Sequence, residues 1–204
     1  KRVPTAKRVF DALVKLEEAV ANDHIALRTF CYSGMTKEDL ASYFEKEGME
    51  VRGHYTFEKK KLEAIHLEHI DDPQKPKVFI SELKWQELSE NGQNLLKPLF
   101  EQYDANSKGK GIDQLVKETR PWSLSYKDYL ALKEESEYAS WIAAYGFFPN
   151  HFTITLNELV HFPEMKTFVA WLKELGVQLN SAGGIIKGSP EQFLEQVSTM
   201  ADEG

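Results

Sequence analysis

DHIALRTF at 23–30 and NHFTITL at 150–156 are two strand-like segments of the same pattern. Each opens on a polar residue followed by a histidine, alternates residue types as a strand does, and precedes an amphipathic helix closed by a glycine. Gly48 lies 24 positions after His24, and Gly176 lies 25 positions after His151. A strand and helix repeated at matched spacing predict two copies of one module, each with an imidazole at the same point. Two histidines so related would face one another across a pseudo-symmetric cleft.

Working outward from the first copy, period two places His24, Ala26, Arg28 and Phe30 on one strand face and Ile25, Leu27 and Thr29 on the other. Thr36 reads as an N-cap with Asp39 as its capping-box partner, Leu40, Tyr43 and Phe44 as the buried stripe, and Gly48 as the stop. Three β-like runs follow near 50–57, 62–70 and 77–84, completing a β-α-β-β-β module over 22–84. Upstream, Val9, Phe10, Leu13 and Leu16 behind Pro4 predict an amphipathic helix over about 4–20, within an N-terminal segment 1–21.

Residues 85–149 break the pattern with long helical spacing and read as an insertion. The second module then begins at 150 and runs to 204. Pro163 marks its helix start, Met165, Phe168, Val169 and Leu172 its buried stripe, and strands are expected near 183–187 and 193–201. On the last of these, Leu194, Gln196, Ser198 and Met200 share a face that reads as an exposed polar one, although Gln196 and Ser198 are able to hydrogen-bond a ligand. The fold class is therefore α+β, a single domain of paired β-α-β-β-β modules around a metal cleft with a helical insertion between them. Natural sequence is expected to be missing at both ends, because the chain starts abruptly at KRVPTAKRVF and stops at MADEG with the second copy one strand short.

The chain has 204 residues, is 42% hydrophobic and carries a net charge of −7, so it can build a substantial core. Its longest basic run is the three lysines 59–61, which argues against a nucleic-acid or anionic-membrane partner. No apolar run approaches the roughly 20 residues of a membrane span, and no signal-peptide pattern opens the chain, so a cytoplasmic location is expected. Cys31 is the sole cysteine, which rules out an internal disulfide and a CxxC site. His, Asp and Glu remain as metal donors.

A lone strand histidine is ordinarily a satisfied core or surface residue. Equivalent placement in both repeats favours His24 and His151 as a metal pair, with a carboxylate as third ligand and open positions for substrate and oxygen or water. Arg28 shares the face of His24 about 13 Å away at about 3.3 Å per residue, and its fork suits a carboxylate. An ion pair at a sheet edge is the plainer alternative for it. His66 and His69 point to opposite faces and cannot chelate one ion together, while His54 and His161 sit at turn or helix-start signals without a partner in spacing. The segment 104–115 mimics a calcium loop through Asp104, Asn106 and Gly109. Leu115 stands where the bidentate acid belongs and Lys108 at a ligand position, so the match fails. GGIIKGSP at 183–190 lacks the ending of a phosphate loop, and no nucleophile elbow is present.

DHIALRTF, RPW at 120–122, the WIAAYG and NHFTITLNEL run over 141–159, and GGIIKGSPEQFLEQVSTMAD at 183–202 together resemble the DUF1338 family, whose characterised activity is that of a 2-oxoadipate dioxygenase/decarboxylase. The resemblance covers nearly the whole chain and implies a fold related to the vicinal oxygen chelate enzymes. It implies a non-haem Fe(II) site with His24 and His151 as ligands and Arg28 gripping a substrate carboxylate. A glutamate is implied as third ligand, expected beyond Gly204, a place that neither Glu195 nor Glu203 should be made to fill. The implied substrates are a 2-oxo acid such as 2-oxoadipate and O2, and the products a 2-hydroxy acid and CO2; Fe(II) is the expected metal, and another divalent ion such as zinc or nickel is able to stand in for it in a purified or crystallised sample. Two competing readings follow from the same residues: a glyoxalase-like lyase, isomerase or hydrolase without redox chemistry, and a non-enzymatic small-molecule binder. The oligomeric state is not legible.

Overall fold

A computed structural model describes residues 3–189, 191 and 194–201, in two compact units. One unit covers 22–153, and the other joins 1–21 to 154–204. The sequence reading draws one domain in four consecutive segments. The structure groups them otherwise, because the N-terminal helix and the second module's helix share one apolar cluster, whereas the insertion shares its cluster with the first module.

In the unit 22–153, β1 (Asn22–Phe30), α2 (Lys37–Glu45), β2 (Met49–Phe57), β3 (Leu62–His69) and β4 (Lys77–Leu83) form the expected β-α-β-β-β module. β5 (His151–Ile154) adds to it, giving a sheet in the order β2-β3-β4-β1-β5. β1 and β4 pair in parallel with Arg28 opposite Ser81, and β3 pairs antiparallel with both β2 and β4. The start of α2 follows its sequence signal: Asp39 N–H donates to Thr36 Oγ1 at 3.1 Å and Thr36 N–H to Asp39 Oδ2 at 2.9 Å. Leu40 and Ala41 pack in one core with Leu27, Ile65, Leu67, Val78 and Ile80. That burial leaves the opposite row, including His24, Arg28, Phe79 and His66, to form the working face.

The insertion folds into α3 (Glu90–Ser107), α4 (Ile112–Glu118), α5 (Tyr126–Glu135) and α6 (Glu137–Tyr145). Ser89, Ser125 and Ser136 cap three of these, each hydroxyl accepting a backbone N–H of the first turn. Leu96, Phe100, Leu132 and Ile142 from these helices join Phe30 of β1 in the same core.

In the other unit, α1 (Pro4–Lys15) and α7 (Met165–Glu174) contribute Leu13, Phe168 and Leu172 to a second cluster with Leu159, Phe162 and Val177. Two expectations are corrected there. The first helix ends at Lys15 instead of near 20, with Glu17 left-handed at φ 60°, and Phe10 is 50% exposed. One residue past Val9 is a rotation of about 100° on a helix, which sends Phe10 away from the stripe that Val9, Leu13 and Leu16 share. The final strands are also shorter, β6 being Lys187–Ser189 and β7 Leu194–Gln196, with one isolated bridge from Leu179 to Thr199. Gly183 and Gly184 adopt φ of 76° and 101°, so 183–184 turns where a strand was expected. Leu194, Gln196, Ser198 and Met200 are exposed, as the polar-face reading has them. Among the described residues no helix is long and apolar enough to cross a membrane.

Candidate metal centre

His24 and His151 stand on adjacent strands of one sheet, not on separate sheets across a cleft. Their rings are nearly perpendicular, at 82°, with Nε2 atoms 3.4 Å apart. Each Nδ1 is engaged by the residue just before it: His24 Nδ1 lies 2.6 Å from Asp23 Oδ2 and His151 Nδ1 lies 3.0 Å from Asn150 Oδ1. An acceptor at Nδ1 places the proton there and leaves the Nε2 lone pair bare, so these partners select the tautomer in which two lone pairs confront each other. A cation relieves that repulsion. Two nitrogens each about 2.0–2.1 Å from one metal ion lie about 3–3.4 Å apart at ordinary coordination angles, so the observed separation fits a shared ion.

Thr153, two residues along β5, fastens the pair. Its Oγ1 accepts the His24 backbone N–H at 2.9 Å, donates to His24 O at 2.9 Å and lies 2.9 Å from His24 Nδ1. His151 keeps an exposed edge, yet crowding by the surrounding protein, followed by the charges of His24 and Arg28, pushes its pKa below the ordinary histidine value. A neutral ring is the form that ligates a metal. Among the described residues no cluster of three or more His, Cys, Asp and Glu side chains gathers, so the pair supplies two donors. Glu195 lies on β7 in the other unit, and Glu203 lies outside the described residues.

Arg28 is on the same face, and its guanidinium carbon lies 4.7 Å from the Tyr138 ring centre and 5.2 Å from that of Trp141, both on α6. Among the described residues no carboxylate lies within ion-pair distance of it, so the plainer sheet-edge pairing does not occur. Burial lowers its pKa, against the opposing influence of Tyr138 and Glu137, yet an arginine stays cationic throughout the working pH range. A half-buried cation without an anion is poised to take one from solution.

Phe79 of β4 meets His24 edge-on at 5.1 Å and stacks on His66 at 5.2 Å, and Tyr55 OH lies 2.9 Å from His66 Nδ1. Gly53 makes room for this row, since a Cβ there would come within 2.6 Å of the His66 ring. His69 points elsewhere, to Lys75 Nζ at 2.9 Å, so His66 and His69 share no ion. His54 is exposed. His161 is structural: the fully buried Glu18 carboxylate accepts its backbone N–H at 2.6 Å and that of Val160 at 2.7 Å, with His161 Nδ1 at 2.7 Å. Asp104 bonds Tyr32 OH at 2.7 Å from within α3, which agrees with rejecting a calcium loop.

Residues 2–204 match the family described as 2-oxoadipate dioxygenase/decarboxylase. A chloroplastic 2-oxoadipate dioxygenase/decarboxylase of Arabidopsis thaliana is 32% identical over 98% of this chain and 57% of its own length. The chain thus spans little more than half of that curated relative. A crystal structure of hydroxyglutarate synthase from Oryza sativa in complex with 2-oxoadipate matches with TM-score 0.89 and 31% identity, over 98% of this chain and 68% of that one. A protein from Shewanella frigidimarina NCIMB 400, provisionally named a hydrolase, matches with TM-score 0.88 and 43% identity, over 98% of this chain and 77% of that one. The fold also matches that of a Ralstonia eutropha JMP134 protein, provisionally named a glyoxalase superfamily member, at TM-score 0.74 and 21% identity over 98% of this chain and 69% of that one.

Proposed function

The chain belongs to the 2-oxoadipate dioxygenase/decarboxylase family, and from that membership we propose that it carries an Fe(II)-dependent dioxygenase site that converts a 2-oxo acid such as 2-oxoadipate to a 2-hydroxy acid and CO2. The observation that carries this reading is the two imidazole Nε2 atoms 3.4 Å apart on a face that also holds Arg28, which among the described residues has no carboxylate within ion-pair distance. Bound Fe(II) would supply electrons to O2 and a template for the 2-oxo carboxylate. The chain's own residues orient the two imidazoles and the acid. Asp23 and Asn150 fix the two rings by their Nδ1 contacts, and Thr153 ties β5 to His24. Arg28 holds a carboxylate of the acid through its N–H fork, while Phe79 walls the face beside His24. One O2 is consumed and one CO2 released per acid, so no external reductant is needed.

Product analysis tests the reading. Iron-loaded protein given 2-oxoadipate in air is expected to yield 2-hydroxyglutarate with CO2 in equal amounts and to be silent without oxygen. Turnover retained anaerobically with zinc would replace it with a glyoxalase-type reaction. No turnover across a panel of 2-oxo acids would remove the enzymatic reading altogether.

A further inference from the structure

The guanidinium of Arg28 lies over two rings, Tyr138 and Trp141, that are neighbours on one face of α6. Tyr138 is itself tied down, its hydroxyl donating to Ser81 O at 2.9 Å and lying 2.6 Å from Ser81 Oγ. Ser81 is the register partner of Arg28 on β4. The helix that carries the rings is therefore fastened to the strand position beside the arginine it holds. A guanidinium carbon held over two ring faces leaves N–H donors of the fork free for a carboxylate.

We propose that Tyr138 and Trp141 are positioning residues that hold Arg28 in place before substrate arrives, making it a fixed gauge for the distance between the two carboxylates of a 2-oxo dicarboxylic acid. The gauge has two ends on one strand. His24 marks the metal end, and Arg28, four residues on, marks the place of the second carboxylate, about 13 Å away between Cα atoms. A free arginine would follow acids of several lengths, whereas one held over two rings favours a single length. This inference rests on the oxidative reading of the site and adds to it a means of selecting the acid by length.

The test compares Trp141→Leu and Trp141→Phe with the unaltered iron-loaded protein, using 2-oxoadipate, its one-carbon shorter and longer diacids, and 2-oxohexanoate, which lacks the second carboxylate. Trp141→Leu is expected to raise KM for 2-oxoadipate by about 2- to 30-fold, with kcat within about twofold. It should flatten the preference among diacid lengths and leave KM for 2-oxohexanoate unchanged, while Trp141→Phe stays close to the parent. Site-specific fluorinated tryptophans at 141 weaken the ring face without changing its size, and should raise KM in step with fluorine number. Equal shifts for 2-oxoadipate and 2-oxohexanoate, or no shift, would overturn the proposal. If no acid is turned over, the oxidative reading fails, and rotation of the Arg28 guanidinium measured by NMR without iron still decides the gauge. Slower rotation in the parent than in Trp141→Leu supports it; equal rates refute it.

Discussion

The same two-residue signal, a polar side chain and then a histidine, lies at the start of both β1 and β5, yet the structure uses the two strands differently. β1 is nine residues long and lies between β4 and β5, so its far end is buried and Arg28 is carried under α6. β5 is four residues long and lies at the sheet edge, with His151 and Phe152 exposed. Its counterpart to Arg28, Thr155, falls beyond the strand, where its backbone N–H donates to Ala21 O at 3.0 Å. A repeated strand can thus share one duty, presenting an imidazole, and divide the others. β1 carries Arg28, the proposed substrate contact, and β5 carries Thr153, which fastens the pair.

The shared duty predicts the largest effects. His24→Ala and His151→Ala are each expected to abolish stoichiometric metal binding, beyond the roughly 10–100-fold that changing an outer partner costs, as read by metal analysis after dialysis. One variant that keeps its metal would break the symmetry of the pair. The divided duty comes next. Arg28→Ala should lower kcat/KM for 2-oxoadipate by about 10- to 150-fold, the range for losing a charge-assisted hydrogen bond, whereas Thr155→Ala should stay within about twofold. Asp23 and Asn150 give a smaller contrast. Asp23→Asn is expected to weaken metal affinity by about tenfold and Asn150→Asp to strengthen it, because a carboxylate raises the basicity of the ring it holds; competition against a chelator reads both.

The smallest effect is on stability against pH. His151 has its pKa held below the ordinary 6.5, so the unfolded chain takes up its proton first as pH falls. Its contribution to stability is present above pH 6.5 and lost as pH falls through the folded value. Melting curves of metal-free parent and His151→Gln should therefore run parallel above that pH and converge or cross below it.

Much of this was legible. Period two exposed the working face because β1 is half-buried, and the Thr36 and Asp39 capping box marked α2 because local hydrogen bonds decide a helix start. His24 and His151 stood out by repetition, and the polar residues before them were visible, though not their task of holding Nδ1. Tyr138 and Trp141 were hidden because their partner is more than a hundred residues away and reached only through the register of β1 with β4. Glu18 and His161 were hidden likewise, since a buried carboxylate that satisfies two backbone N–H groups leaves no spacing pattern. Phe10 misled because an apolar residue one step off a stripe looks like part of it.

The central claim is that the paired imidazoles and Arg28 make one oxygen-consuming site, and an oxygen electrode tests it most directly. The iron-loaded protein should take up one O2 for each 2-oxoadipate supplied. His24→Ala and His151→Ala should take up none, and Arg28→Ala should recover in rate only at raised acid concentration. Oxygen uptake unchanged by loss of either histidine, or absent from the parent with every 2-oxo acid supplied, would contradict the account.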